Sequence, residues 1–415
     1  MQLRDRLESL RATTPQRERL RPVKPAPLTY LLPIENHHGL TYYNDSVHVD
    51  HHGQIDLKNY PEIPLEMIRF LSLDSSICDF VIRDAVFLDI ETTGTAGGTG
   101  TYAFLTGLGF VDKGYFQIRQ YFLHDLAQEA AYLHEIAEFC SRFRSLITYN
   151  GKCFDSQILR NRYLMHRRED PLAGKQHIDM LFVARRLWKR RLQECELTNL
   201  ERNILDFHRV EDIPSYLIPG AYTDYLRYAN ASMIQKVLEH NRWDILSLAV
   251  LTARAALLPD QPDDLTPEEH FSLGLLHARH KNYQSAVEHQ IRAVRDGCRS
   301  PQPVLLALAR NLRRVRDHDQ MRWLIAQAQE DVCDGEVIRR LCILCEHDLK
   351  DYHLALELIE VQLHKLEKYR GLTTRFIALT REWVRRRDRV VKKIELTTKT
   401  QRRKDSRKLL FNSSL

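Results

Sequence analysis

Ala85-Val86-Phe87-Leu88-Asp89-Ile90-Glu91-Thr92-Thr93-Gly94 is the stretch from which the rest of this chain can be read. The apolar run from Ala85 to Ile90 predicts a buried strand, closed by a threonine-glycine turn. Side chains alternate along a strand, so Asp89 and Glu91 point to the same face. Two carboxylates on one face of a core strand repel each other and are costly to desolvate. Divalent cations offset both costs, because Mg2+ and Mn2+ favour carboxylate oxygens as ligands. Taken alone, the Asp-x-Glu pair equally fits a strand end whose acids are solvated by the following glycine-rich turn.

Outward from this strand the pattern is α/β. Thr101–Val111 and Tyr115–Leu123 predict two further strands, joined by the hairpin turn Asp112-Lys113-Gly114. Ala127–Phe143 predicts an amphipathic helix, Ser145–Tyr149 a short strand and Phe154–His166 a helix, after which the chain reads as mostly helical to Leu258. This order gives a mixed sheet that opens with a meander, not the strand-helix alternation of a doubly wound dinucleotide fold. Gly98-Thr99-Gly100-Thr101-Tyr102-Ala103 fits G-x-G-x-x-A. A strand follows it, however, so the helix N-terminus that would hold a pyrophosphate is missing. The glycines read instead as letting the backbone approach a metal site or substrate.

Two later segments supply matching chemistry. In Thr148-Tyr149-Asn150-Gly151-Lys152-Cys153-Phe154-Asp155 a strand ends, an Asn-Gly turn reverses the chain, and Asp155 falls on the first turn of a helix. In His240-Asn241-Arg242-Trp243-Asp244 the histidine and the acid are four residues apart, on one face of a helix that then turns apolar. Asp-x-Glu on a first strand, Asn-x-x-x-Phe-Asp after a later one, and a late helix ending in Asp resemble the three motifs of the DEDD (DnaQ-like) exonucleases, which have an RNase H-like fold. The segment is more closely similar to the YprB-type predicted exonucleases over roughly residues 85–255. Further marks are Gly97-Gly98-Thr99-Gly100-Thr101-Tyr102-Ala103-Phe104, Ala184-Arg185-Arg186-Leu187-Trp188 and Asp212-Ile213-Pro214.

The resemblance implies a 3′–5′ exonuclease that hydrolyses phosphodiester bonds of DNA or RNA with two Mg2+ or Mn2+ ions. Asp89, Glu91, Asp155 and Asp244 would hold the metals, with Asp89 shared by both ions. His240 would be the general base, since an imidazole suits proton abstraction near neutral pH, and Asn150 would contact the substrate strand. In one respect the chain departs from the pattern. The histidine subclass of these enzymes has four residues between His and the last Asp and the tyrosine subclass three between Tyr and Asp; here a histidine stands at the tyrosine spacing. Two other readings keep the same fold: a non-catalytic nucleic-acid-binding protein, and a scaffold working through its C-terminal repeats.

The chain of 415 residues predicts more than one domain. We divide it into an N-terminal extension (1–79), an RNase H-like α/β domain (80–258), helical repeats (265–370) and a basic helix or tail (371–415). The extension holds His37, His38, His48, His51 and His52, whose spacing matches no zinc pattern and which read as surface or packing residues. The polar segment Gln261–Thr266 reads as a linker to an all-α region in which Tyr283 and Tyr352 head similar helices, 69 residues apart. That is close to two repeats of about 34 residues, so the region resembles tetratricopeptide repeats, a fold suited to protein partners. Cys342-Ile343-Leu344-Cys345 has no second pair for zinc and reads as core packing. Trp188 and Trp243 read as core aromatics, with base stacking a lesser alternative.

Charge is concentrated at one end. Between Arg385 and Lys408 twelve Lys/Arg stand against three acids, an excess above the whole-chain net of +6, so the remainder is slightly acidic. Such a segment suits nucleic-acid phosphates. No run of 18 apolar residues and no leader pattern is present, so no membrane role is expected. The scattered cysteines point to a reducing cytoplasm.

Overall fold

The computed structural model describes residues 33–35, 41–46, 51–52, 55–56, 63, 66–78, 81–94, 100–258, 264–330, 334–368 and 374–412. His37, His38 and His48, the glycines at 97 and 98, and residues 261–263 of the expected linker lie outside the described residues.

Four short strands precede the main domain: β1 (Pro33–Glu35), β2 (Thr41–Ser46), β3 (His51–His52) and β4 (Ile55–Asp56). The domain itself is built on β5 (Ala85–Thr92), β6 (Ala103–Asp112), β7 (Tyr115–Phe122), β8 (Ser145–Thr148) and β9 (Gln176–Asp179). The sheet runs β1-β2-β7-β6-β5-β8-β9. β5 lies antiparallel to β6 and parallel to β8, so the sheet is mixed. Asp112 pairs with Tyr115, leaving Lys113 and Gly114 as a two-residue loop with φ of 50° and 84°. Both values are left-handed, as a tight hairpin following the strand twist requires. β9 is a strand that the reading of a mostly helical stretch after residue 166 did not single out. It has only four residues, and it is specified by pairing in parallel with β8 rather than by local pattern.

β5 is central because both of its faces are covered. Val86, Leu88 and Ile90 join the cluster formed with helices α2 (Glu129–Cys140) and α3 (Asp155–Met165). Ala85 and Phe87 face the opposite cluster, which includes α1 (Glu66–Ser72), α4 (Met180–Leu187) and the apolar half of the long helix that follows α5 (Ile218–Tyr228). That helix, α6 (Ile234–Ala256), lies across β5 and β6. Asp89 and Glu91 share the strand parity of Phe87. They therefore look toward α6 at the point where the apolar contact between helix and sheet gives out.

Seven helices follow: α7 (Pro267–Arg279), α8 (Tyr283–Arg295), α9 (Pro301–Val315), α10 (His318–Glu330), α11 (Gly335–Ile343), α12 (Tyr352–Lys368) and α13 (Thr374–Asn412). Tyr283 and Tyr352 both open helices. The residue before each caps it, with Asn282 accepting from the Ser285 N–H and Asp351 from the Leu354 N–H. Cys342 and Cys345 are free and fully buried in the core of this array, and burial raises both thiol pKa values.

α7 is joined to the first domain by more than the chain. Leu265, Leu273 and Leu276 belong to the same apolar cluster as Leu187, Trp188 and Leu248. The Trp188 indole N–H, itself fully buried, donates to Glu269 Oε1 at 2.8 Å. Glu269 also completes a capping box with Thr266. Trp188 is thus a core residue. No described helix is long and apolar enough to cross a membrane.

Candidate metal centre

Three elements deliver the acids. β5 brings Asp89 and Glu91, α3 starts at Asp155, and α6 carries His240 and Asp244. The strand and α3 are tied directly, since the Ile90 N–H donates to Asp155 Oδ1 at 3.1 Å. Asp155 is 5% exposed and His240 6%. The four carboxylates lie within electrostatic reach of one another. Burial, followed by the charges of Asp244, Asp155 and Glu91, holds Asp89 well above the usual carboxylate range against a hydrogen bond from Asn241. Burial pushes Glu91 up to about 8, with nearby His240 opposing and Asp244 and Asp155 adding to the rise. Asp155 is pushed up to about 7, again chiefly by burial. Carboxylates crowded and desolvated in this way favour a bound cation.

Among the described residues, Glu91, His240 and Asp244 offer ligand atoms that all lie within 4.8 Å of one another. His240 Nε2 is 3.4 Å from Asp244 Oδ2 and 3.9 Å from Glu91 Oε1. The donor set of hard oxygens with one imidazole nitrogen fits Mg2+ or Mn2+.

The residues that orient this set were assigned no role by the sequence, although Asp212 and Asn241 stand in stretches that carry the resemblance. Asn241, fully buried, donates to Asp89 Oδ2 at 2.8 Å and accepts from Gln120 Nε2 at the same distance. It lies over Gly107, which pairs with Asp89 across the strands. A Cβ added at Gly107 would stand 2.2 Å from Asn241 Oδ1. Arg209 is the second hub. Its buried guanidinium binds Glu201 at 2.6 Å, Asp212 at 3.1 Å, and Asp244 Oδ1. Asp212 Oδ1 in turn lies 2.7 Å from His240 Nδ1. A carboxylate there can only accept, so Nδ1 carries the proton. The approach of Arg209 Nη1 to the same nitrogen, at 3.2 Å, is then proximity, not a hydrogen bond. Burial lowers the His240 pKa, but Asp212, Asp244 and Glu91 outweigh it and the net direction is up.

Asn150 stands apart. It is exposed, with φ of 63°, and its backbone N–H donates to Asp179 Oδ1 at 2.8 Å. Asp179 also accepts from the Lys152 and Leu181 N–H groups, so it pins the turn that aims α3 at β5.

Gly107 yields a specific expectation. Gly107→Ala should displace Asn241 from Asp89 and weaken Mn2+ binding by about 10- to 100-fold, the usual cost of disturbing a partner of a metal ligand. Titration calorimetry with Mn2+ measures it, and unchanged affinity would show that Asn241 does not position Asp89.

With this arrangement established, comparison with known proteins shows what the domain is similar to. Residues 86–256 match the RNase_H superfamily. RNase H-like proteins are in general nucleases that act on nucleic acid with divalent metals, and the RNase_H segment here spans β5 to the end of α6, the elements that carry all five clustered residues. The chain is also 28% identical over 287 residues to the uncharacterized protein YprB of Bacillus subtilis, covering 67% of this chain and 68% of that protein.

Proposed function

We propose that the protein is a metal-dependent 3′–5′ exonuclease of the DEDD type, cleaving phosphodiester bonds of DNA or RNA with two divalent cations. The observation that carries this reading is the convergence of Asp89, Glu91, Asp155 and Asp244, from three separate elements, into one buried cluster with His240. Bound Mg2+ or Mn2+ would neutralise charge on the scissile phosphate and acidify the attacking water. The chain's own part is to hold and orient. Asn241 fixes Asp89, while Arg209 takes one oxygen of Asp244 and leaves the other turned toward His240. Asn150, exposed at the turn before α3, is assigned a substrate contact. Polarity rests on the family resemblance alone.

The basic helix α13 supports nucleic acid as the partner. Arg381, Arg385 and Arg389 repeat at four-residue spacing and are exposed, lining a groove with Arg339 and Arg386. Glu346 takes up Arg386, Arg389 and Lys393, whereas Arg381 and Arg385 have no ion-pair partner among the described residues. Arg381→Gln with Arg385→Gln should lower the slope of log affinity against log salt for a single strand by about 1.4. Fluorescence anisotropy of a labelled single strand checks this; an unchanged slope would remove the groove from the interface. We further assign the α7–α12 array to tetratricopeptide-like repeats that take a protein partner, and the protein to the cytoplasm.

The test of the activity is degradation of end-labelled single-stranded DNA and RNA with Mn2+ or Mg2+, wild type beside Asp89→Ala. Metal-dependent trimming by wild type alone is the expected result. Equal inactivity of both, with binding retained, would move the assignment to a nucleic-acid-binding protein that keeps the fold.

A further inference from the structure

We propose that His240 binds the metal directly through Nε2, as a nitrogen donor beside the carboxylates, and that Asp212 is the residue that presents it. The inference rests on the metal-dependent reading above and changes the part played by His240, from general base to ligand.

Helix geometry comes first. Residues four apart on an α-helix are about 40° apart around the axis, whereas one further residue would turn the side chain another 100° away. The four-residue step from His240 to Asp244 therefore lays the imidazole on the face that carries the acid, inside the carboxylate group. The tautomer comes next. Asp212 Oδ1, 2.7 Å from Nδ1, fixes the proton on that nitrogen and leaves the lone pair on Nε2. A histidine ligand typically has its second nitrogen bonded in this way to a carboxylate, which sets the ring orientation and raises its basicity. Asp212 is itself held by Arg209 at 3.1 Å.

Distances complete the argument. The separations of Nε2 from Asp244 Oδ2, 3.4 Å, and from Glu91 Oε1, 3.9 Å, exceed a charge-assisted hydrogen bond of about 2.7–2.9 Å. They do fit ligand atoms around one small cation. Bonds of about 2.1 Å place neighbouring donors about 3 Å apart in an octahedron and opposite donors about 4.2 Å apart. A lone pair turned toward two carboxylates is repulsive in the neutral imidazole and attractive once a cation lies between them. An imidazole in the set also shifts preference from Mg2+ toward Mn2+, since nitrogen is the softer donor.

The experiment uses the full chain loaded with Mn2+ alone and reads nitrogen coupling to the metal by pulsed electron paramagnetic resonance. Wild type should show modulation from a directly bound imidazole 14N. Labelling the protein with 15N-histidine should convert that signal without altering any residue, so the result does not depend on a variant folding. His240→Gln should lose it, and Asp212→Asn should weaken Mn2+ binding by about 10- to 100-fold. Mn2+ bound tightly with no histidine coupling would overturn the ligand assignment and leave the acid-held metal standing. Failure of wild type to bind Mn2+ at all would overturn both readings.

Discussion

Replacing Asp89 with asparagine is expected to abolish metal-dependent hydrolysis and, in the same protein, to raise the melting temperature measured in chelator. The two effects have one cause. Asp89 is buried among Asp244, Asp155 and Glu91, and its charge is opposed by all three. Removing that charge relieves repulsion and desolvation in the metal-free protein. We expect a gain of about 0.5–2 kcal/mol, the range common for a single stabilising substitution. The amide keeps the size of the side chain and can still bond Asn241 after a flip of its own oxygen. The lost charge also removes a metal ligand, so added Mn2+ should stabilise the variant far less than wild type. Hydrolysis should fall by about a thousandfold or more, because a metal contributes several kcal/mol and about 1.36 kcal/mol is tenfold. Calorimetric melts with chelator and with Mn2+, run beside the nuclease assay, measure all three. A variant that is both inactive and less stable than wild type in chelator would show that Asp89 is structural.

Arg209→Ala should have the largest effect on stability of any single change near the site. The guanidinium is 6% exposed and Glu201 only 2%, so truncation leaves a carboxylate with no counter-charge in the interior. Breaking a buried ion pair from one side costs about 3–5 kcal/mol, which corresponds to a fall in melting temperature of about 10 °C. Asp212 and Asp244 lose a partner at the same moment, and with them the aim of His240. Adding Glu201→Gln to Arg209→Ala should recover part of the loss, because it removes the stranded charge. Thermal melts of the two single variants and the double variant test this coupling. Strictly additive losses would show that the two residues do not depend on each other.

Much of this was legible in the chain itself, where local pattern and local structure agree. The hairpin of β6 and β7 was announced by Lys113-Gly114, two residues that tolerate the left-handed backbone a two-residue loop needs. The buried run ending in Asp89-x-Glu91 and the four-residue step from His240 to Asp244 each put their acids on one face by element geometry alone. What escaped was set by contacts between distant parts of the chain. Asn241 reaches Asp89 across 152 positions and Gln120 across 121, and no periodicity marks either contact. Arg209 lies between helices, after the π-turn Glu201–Leu205, where helical and strand periods give no signal, and Asp212 beside it stood out only as a mark of the resemblance, with no role attached. β9 is too short to stand out from its neighbours. Gly107 is informative only once Asn241 is known to lie above it.

The bond from the Trp188 indole to Glu269 bears on how the molecule comes apart. Trp188 belongs to the α/β domain and Glu269 to the first helix of the array, yet Leu187, Leu265, Leu273 and Leu276 close around them as one apolar mass. A protein shortened to end near residue 258 would open that mass to water and leave a buried donor without its acceptor. The α/β domain and α7 are therefore expected to unfold as one cooperative unit. α7 is in part the wall against which the α/β domain is packed, and heat or denaturant should dismantle the two together.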